Sequence, residues 1–299
     1  MKVLILAQSD LKAGKGHINR SKLVFKYLKS KKVIVEFLSF CSKKKIQFHN
    51  EWNVSVNNKL FYEKINEADV FITDEVSCPK SLINLIKNKF VCSISPNGKI
   101  NNYAKIIFSR TSPIGKYSKK TIISSNINNF LPGSDLIKIK NYIGKLNNNK
   151  KMIIGISMGG YDKQNKTLKL LKILSKFRNF VELKILFNKQ NLINYNKIIN
   201  YIKINKISSK ILTMKKNTWS IFSKCSFVFL SGGISAYESV FVGIPSINII
   251  NDNKKKKLTQ YLSDKNLTNI YKDKDLKQIL KLINLYLSSD KLLFKQKKK

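Results

Sequence analysis

Short apolar runs rich in β-branched and aromatic residues alternate with amphipathic stretches along this sequence. In the first half such runs predict buried strands at Val3 to Ala7, Val33 to Leu38, Val70 to Thr73 and Phe90 to Ile94. Helices are predicted between them at residues 18 to 28, with Leu23, Val24, Tyr27 and Leu28 on the buried face, and at residues 79 to 88. Consecutive parallel strands need crossover helices, so this alternation predicts an α/β fold.

The second half repeats the alternation after a polar run at residues 147 to 151. Strands are predicted at Met152 to Ser157, Val181 to Phe187, Phe227 to Leu230 and Ser246 to Ile250. Helices are predicted at residues 165–178, 191–202, 217–224, 235–242, 254–264 and 273–288. A chain of 299 residues suits two α/β domains. We therefore expect Rossmann-like domains at residues 1–148 and 149–299, the second of them binding a nucleotide.

The formal net charge of +40, from 57 Lys and Arg against 17 Asp and Glu, raises the question of an anionic polymer as partner. The lysines, however, are scattered along the whole chain, and arginine occurs only at positions 20, 110 and 178. Arginine is the side chain that nucleic-acid recognition favours. We therefore expect no specific nucleic-acid partner. The lysines predict attraction of small anions and a weak peripheral association with anionic membranes.

The sequence gives no sign of a metal site, a cofactor or a leader segment. The two histidines are His17 and His49, and no Cys-x-x-Cys pair occurs among Cys41, Cys78, Cys92 and Cys225. The opening apolar run is too short for a signal-peptide core, and no apolar stretch approaches the roughly 20 residues that span a bilayer. These features predict a cytoplasmic protein without metal or cofactor, and they favour no particular oligomeric state.

The first motif with chemical potential spans Gly14 to Arg20 and lies where the first strand gives way to a helix. Its glycines, Gly14 and Gly16, allow a tight turn, and a helix N-terminus offers N–H groups to negative charge. A dinucleotide-binding motif would need a third glycine where Asn19 stands, and a P-loop would need Gly-Lys-Ser/Thr, which is absent from this motif. Both of these interpretations are therefore excluded. His17 is a candidate general base, because imidazole exchanges protons near neutral pH. The alternative is a histidine that only caps or packs the helix.

The second motif, Gly155 to Asp162, carries Gly159 and Gly160 directly after a predicted strand. Parallel α/β sheets bind ligands beyond the carboxyl ends of their strands, so these glycines are candidate ligand contacts. The alternative is an ordinary strand-to-helix loop, in which glycine is common.

The third motif follows the strand that ends at Leu230 and contains Gly232, Gly233, Ser235 and Glu238. A Gly-Gly turn that opens a helix can hold a diphosphate on backbone amides, and a carboxylate one turn later can accept both hydroxyls of a ribose. The alternative is a capping box with Ser235 as the N-cap and Glu238 three residues later.

Together these motifs resemble those of the PseG family, hydrolases that release UDP from UDP-2,4-diacetamido-2,4,6-trideoxy-β-L-altrose on the pathway to pseudaminic acid. The resemblance extends over nearly the whole chain and also includes Gly243 to Ser246 and the pair Asp252-Asn253. More distantly, the sequence is similar to MurG-like glycosyltransferases of the GT-B fold.

This resemblance implies a GT-B architecture, with two Rossmann-like domains whose parallel sheets face each other across a cleft. His17 would handle the attacking water, and the reaction would invert the anomeric carbon without a metal. The residues implied to contact the sugar side of the substrate are Gly14, Gly16, Arg20 and Asp74. The residues implied to bind UDP are Gly159, Gly160, Gly232, Gly233, Ser235, Glu238, Asp252 and Asn253.

The sequence departs from the family at several positions. Leu6 and Gln8 stand where the family usually has Arg and Asp, residues 73 to 76 replace an aromatic-containing loop, and Lys254 replaces a Gln. These departures leave the sugar undefined. A glycosyltransferase that uses the same UDP-sugar donor remains an alternative, as does a binding module that has lost its chemistry.

Overall fold

The computed structural model describes residues 1–9, 16–41, 47–50, 55–111, 113–126, 152–159, 162, 164–187, 192–213 and 218–288. They form two compact units, one within Met1–Gly133 and the other within Ser134–Lys299. The predicted domain boundary after residue 148 falls outside the described residues and stays a prediction. Within the described part of the chain, no helix combines the length and the apolar character needed to cross a bilayer.

The first unit contains a mixed sheet. Its strands are β1 (Lys2–Gln8), β2 (Ile34–Cys41), β3 (Gln47–Asn50), β4 (Ser55–Val56), β5 (Val70–Asp74), β6 (Phe90–Ser93), β7 (Ile106–Ser109) and β8 (Ile122–Ser125). They lie in the order β4-β3-β2-β1-β5-β6-β7-β8. The pairs made by β3 are antiparallel and the others are parallel. The four predicted strands are confirmed, whereas β3, β4, β7 and β8 were not predicted.

Among the described residues of this unit, three α-helices accompany the sheet: α1 (Gly16–Ser30), α2 (Asn58–Glu67) and α3 (Lys80–Ile86). The buried stripe of α1 begins with His17 and Ser21 and continues into Val24 and Leu28, which pack against β1 and β2. The prediction that Tyr27 lies on the buried face is wrong, because its side chain is 62% exposed. Two polar residues occupy the buried stripe near the helix N-terminus, and apolar periodicity alone therefore misplaced the face.

The second unit contains a parallel sheet with the strand order β11-β10-β9-β12-β13-β14. Its strands are β9 (Met152–Ser157), β10 (Val181–Phe187), β11 (Ser209–Thr213), β12 (Phe227–Leu230), β13 (Ser246–Ile249) and β14 (Asn269–Tyr271). Its helices are α4 (Lys166–Leu174), α5 (Leu192–Ile204), α6 (Thr218–Phe222), α7 (Ile234–Phe241), α8 (Asn253–Asp264) and α9 (Leu276–Ser288). All predicted elements of this half are confirmed to within a few residues, and β11 and β14 were not predicted.

Each sheet has a point at which the direction of strand addition reverses. In the first unit β1 lies between β2 and β5, so the chain leaves β1 on one side and returns on the other. In the second unit β9 lies between β10 and β12 in the same way. Open α/β sheets bind ligands beyond the carboxyl ends of the strands at such points. The ends of β1 and β5, and of β9 and β12, are therefore where a site is expected.

Candidate functional site

His17 and Asp74 meet at the reversal point of the first sheet. His17 is the second residue of α1, and Asp74 is the last residue of β5, where it pairs in register with Ala7 of β1. The imidazole Nδ1 lies 2.6 Å from Oδ1 of Asp74. The fold thus joins two of the predicted site residues that are 57 positions apart in the chain.

Arg20 completes this cluster from the same face of α1 as His17, three residues later. Its Nε donates to Oδ2 of Asp74 at 2.7 Å, and its Nη2 donates to Oδ1. Both carboxylate oxygens of Asp74 are therefore engaged, and the side chain is fully buried. The bidentate geometry is the strong form of an arginine–carboxylate pair.

The charge on Asp74 defines which ring nitrogen of His17 carries the hydrogen. Burial alone would raise the pKa of Asp74, but the charge of Arg20 and the hydrogen bonds from His17 and Arg20 outweigh it and hold that pKa below its usual value. Asp74 is therefore ionised at neutral pH and accepts the Nδ1 hydrogen of His17. This tautomer leaves Nε2 as the basic nitrogen. His17 is only 9% exposed, so a packing role also fits, and its catalytic role stays a prediction.

Gln8 at the end of β1 fixes the segment that follows Asp74. Its Oε1 accepts hydrogen bonds from the N–H groups of Val76 and Ser77 at 2.9 and 3.1 Å, and its Nε2 donates to Oγ of Ser77 at 2.8 Å. Leu6, the other position that differs from the PseG motif, is fully buried in the core. Sequence reasoning missed the bracing role of Gln8, although a polar residue that ends a buried apolar strand was a usable signal.

Glu75 is a second buried carboxyl directly after Asp74, and sequence reasoning did not single it out. Its Oε1 accepts a hydrogen bond from the N–H of Ile100 at 2.9 Å, and Gly98 approaches so closely that a Cβ there would lie 2.5 Å from the same oxygen. Burial raises the pKa of Glu75, although the backbone N–H groups of Ile100 and Lys99 oppose the rise. Two adjacent carboxyls thus have pKa values shifted in opposite directions.

The glycine motifs of the second unit meet at the reversal point of its sheet. Gly159 follows β9 with a φ of +87°, and a Cβ at this position would lie 3.5 Å from Oγ of Ser231, which follows β12. The second and third motifs, which are far apart in sequence, are therefore neighbours in the structure. A single ligand contacted by both glycine motifs requires them to be neighbours in this way.

The Gly-Gly turn before α7 has a conformation that other residues rarely adopt. Gly232 and Gly233 have φ values of +76° and +74°, and a Cβ on Gly232 would lie 2.3 Å from Cδ1 of Ile250. The amide of Gly233 donates to Oγ1 of Thr259 at 3.1 Å, and the amide of Ala236 donates to the carbonyl of Gly233 at 3.2 Å. The N–H groups that the first turn of α7 can offer to an anion are therefore those of Ile234 and Ser235. Ser235, partly buried, is the second residue of that turn.

The capping-box alternative for Ser235 and Glu238 is wrong. The N-cap of α7 is Gly233, which has no side chain to cap the helix. Glu238 is instead partly buried, and its Oε2 accepts a hydrogen bond from Nε1 of Trp219 at 3.1 Å. Sequence reasoning missed Trp219, because its helix lies well before the motif that it contacts.

Three further motif residues lie at helix starts. Asp162 accepts from the N–H groups of Lys166 and Thr167 at 2.9 and 2.8 Å and so caps α4. Asp252 caps α8 through the N–H of Lys255 at 2.9 Å, and it is exposed together with Asn253. Helix capping explains why aspartate stands at positions 162 and 252. UDP contacts by Asp252 and Asn253 stay a prediction.

The structure therefore gathers most of the predicted residues that it describes into one group in each unit. Gly16, the first residue of α1, belongs with the cluster of His17, Arg20 and Asp74. Gly159, Gly232, Gly233, Ser235 and Glu238 lie around the ends of β9 and β12, whereas Asp252 and Asn253 follow β13, one strand further along. Gly14 and Gly160 lie outside the described residues.

Comparison with known proteins gives a fold but no family. No family model matches the sequence, and no curated protein matches it either. Among solved structures, MurG of Acinetobacter baumannii has a TM-score of 0.63 at 13% identity, over 99% of this chain and 94% of that one. UDP-GlcNAc 2-epimerase from Neisseria meningitidis, bound to UDP-GlcNAc, has a TM-score of 0.67 at 12% identity, over 99% and 94%. The chain has the GT-B fold.

A third structure of this fold is the spinosyn rhamnosyltransferase SpnG complexed with thymidine diphosphate. Its TM-score is 0.56 at 12% identity, over 100% of this chain and 95% of that one. The names of these neighbours include an epimerase and a transferase, so the fold by itself is compatible with several reactions.

Proposed function

We propose that this chain is an enzyme that hydrolyses a UDP-sugar and releases UDP. The observation that carries the proposal is the hydrogen bond of 2.6 Å between Nδ1 of His17 and the buried, ionised Asp74. A histidine that is oriented by a carboxylate in this way can take a proton from water. Its place beyond the carboxyl end of β1 is where α/β sheets bind their ligands.

The reaction follows from this arrangement. The oxygen of a water molecule attacks the anomeric carbon, and the water proton passes to Nε2 of His17. The bond between the anomeric carbon and the diphosphate oxygen breaks, and its electron pair leaves with UDP. The transition state has oxocarbenium character, and a single displacement inverts the anomeric centre. Asp74 acts through His17 by fixing its tautomer and stabilising the charge that the ring acquires, and a direct substrate contact by Asp74 or Arg20 stays a prediction.

UDP binding is assigned to the second unit. The first turn of α7, after the Gly232–Gly233 turn, offers N–H groups that would stabilise the diphosphate as it leaves. Glu238 offers a carboxylate to the ribose hydroxyls. The epimerase neighbour bound to UDP-GlcNAc supports a UDP-sugar as the ligand of a chain with this fold.

The finer proposal concerns the sugar. The run from Gly14 to Arg20, with its Gly-x-Gly-His-x-x-Arg pattern, resembles the PseG family and favours a UDP-2,4-diacetamido-2,4,6-trideoxy hexose on the pathway to pseudaminic acid. Gln8 and Leu6 depart from that family near the same cluster, so the sugar is the part of the proposal that depends most on resemblance.

A glycosyltransferase is the second candidate. The same His17–Asp74 pair could take the proton from a hydroxyl of an acceptor instead of from water, with the same donor site. A rhamnosyltransferase and a galactosyltransferase among the structures of this fold support this alternative. The two candidates differ in whether UDP release depends on an acceptor.

The test is UDP release from a panel of UDP-sugars that includes the 2,4-diacetamido-trideoxy hexoses. The wild-type chain, His17→Ala and the control His49→Ala, which removes the other histidine, are compared with and without sugar and lipid acceptors. Release without acceptor that falls by about 10²-fold or more in His17→Ala, but not in His49→Ala, supports hydrolysis. Release that appears only with an acceptor supports the transferase, and no release from any donor contradicts both.

A further inference from the structure

The contact between Trp219 and Glu238 joins two helices of the second unit. Trp219 lies on the short helix α6, and its indole Nε1 donates to Oε2 of Glu238 on α7 at 3.1 Å. The indole is only 7% exposed. Tryptophan has one polar group, and here that group is directed at the carboxylate to which we assign the ribose.

The core of the unit sets the position of this indole. The ring of Trp219 makes an edge contact with Phe222, with centroids 5.7 Å apart. Phe222 is fully buried and lies against the bare backbone of Gly155 in β9, where a Cβ would lie 2.7 Å from its Cδ1. The donor is therefore held by packing, and its place does not depend on a bound ligand.

A fixed donor matters because a free glutamate side chain has many rotamers. Selecting one rotamer on ligand binding costs conformational entropy, and a hydrogen bond formed in advance reduces that cost. A carboxylate has about four acceptor positions, a number sufficient to accept the indole hydrogen together with two ribose hydroxyls. The GT-B neighbours include one bound to UDP-GlcNAc and one complexed with thymidine diphosphate, whose sugar is a 2′-deoxyribose. The fold alone therefore does not select ribose.

We propose that Trp219 is a positioning residue that makes the nucleotide site selective for ribose over 2′-deoxyribose, by holding the carboxylate of Glu238 against the 2′ and 3′ hydroxyls. The inference rests on the proposed binding of UDP by the second unit. Trp219 itself touches no substrate and acts through Glu238.

The test is the ratio of the dissociation constants of UDP and 2′-deoxy-UDP, measured by titration calorimetry on the full chain. Wild type should prefer UDP by roughly tenfold or more, the effect of losing one hydrogen bond to a charged group. Trp219→Phe keeps a ring for packing and removes the donor, and it should reduce the preference to within about threefold. It should weaken UDP by a larger factor than 2′-deoxy-UDP, which keeps only the 3′ hydroxyl for Glu238. A purely structural role would weaken both ligands together.

Two further variants sharpen the result. Glu238→Ala should remove the preference, and adding Trp219→Phe to it should change the ratio no further, because the two residues act in series. Tyr286→Phe is the matched control, since it removes the hydroxyl that accepts from Nδ2 of Asn269 at 3.3 Å, elsewhere in the same unit. Its ratio should equal that of wild type. A wild-type ratio in Trp219→Phe overturns the inference.

A measurement that leaves Trp219 in place covers the case in which Trp219→Phe does not fold. The chain has two tryptophans, so Trp52→Phe leaves Trp219 as the only one. The fluorescence emission of Trp219 should shift on saturation with UDP and shift less with 2′-deoxy-UDP. Equal shifts with the two nucleotides contradict the inference. Failure of the wild-type chain to bind UDP at all would instead refute the proposed function.

Discussion

The imidazole of His17 and the carboxylate of Asp74 form a hydrogen bond of 2.6 Å at the carboxyl ends of two neighbouring strands. Both oxygens of the same carboxylate accept hydrogen bonds from Arg20, so one buried negative charge organises two residues of α1. This relationship supplies the tautomer that the proposed hydrolysis needs, and it predicts both the chemistry and the pH dependence of the first unit.

Asp74→Asn should reduce stability at pH 7 by about 3 kcal/mol, because it leaves the partly buried guanidinium of Arg20 without its counter-charge. The folded pKa of Asp74 is depressed below the ordinary aspartate value of 3.8. Its contribution is therefore fully present above about pH 4 and is lost as pH falls through the folded pKa. Urea denaturation from pH 7 to pH 3 should show the gap between wild type and variant narrowing only below pH 4. A gap that is constant with pH would contradict this account.

Glu75→Gln, in contrast to Asp74→Asn, should increase stability at pH 7. Burial raises the folded pKa of Glu75 above the ordinary value of 4.5, so the folded state holds this proton more tightly than the unfolded state. Stability therefore decreases as pH rises above about 4.5, until the folded pKa is passed. The variant lacks this penalty and should be about 1 kcal/mol more stable than wild type at pH 7, with little difference at pH 4. Equal stabilities of wild type and variant at both pH values would contradict a raised pKa of Glu75.

Gly232→Ala should destabilise the second unit more than Gly233→Ala. Both residues have positive φ, but a Cβ on Gly232 lies 2.3 Å from Cδ1 of Ile250, whereas one on Gly233 meets nothing within 4 Å. Overpacking of this kind costs about 1–3 kcal/mol in addition to the backbone strain common to both. Ile250→Val removes the clashing methyl group and should restore part of the loss in the Gly232→Ala background alone. The test is thermal denaturation of wild type, Gly232→Ala, Gly233→Ala, Ile250→Val and the double variant Gly232→Ala/Ile250→Val. Equal losses of stability in Gly232→Ala and Gly233→Ala would refute the clash.

Gln8→Ala should destabilise the first unit by about 2 kcal/mol and reduce the proposed activity. It leaves the N–H groups of Val76 and Ser77 without the side-chain acceptor that holds them. Gln8→Glu keeps an acceptor of the same length and should cost less. Denaturant midpoints together with UDP release check both effects. Wild-type stability and a wild-type rate of UDP release in Gln8→Ala would mean that the hydrogen bonds of Gln8 do not stabilise the segment after Asp74.

The sequence determined the α/β class, most strands and helices, and the motifs from which the site is built. Apolar periodicity and glycine placement are local signals, and they sufficed because buried parallel strands and their crossover helices leave a strong pattern. Short or edge strands such as β4, β8 and β14 lack that pattern and were missed. The face of α1 was partly misassigned, because His17 and Ser21 are buried although they are polar.

Tertiary structure alone decided which side chains meet. The pairing of His17 with Asp74, the clamp of Gln8 on Ser77 and the bond from Trp219 to Glu238 all join residues from different elements, because strand order brings their ends together. The pKa shifts of Asp74 and Glu75 depend in the same way on burial and on neighbours that local sequence does not specify. Sequence supplied the chemical groups, and the packing of the sheets gave them their partners.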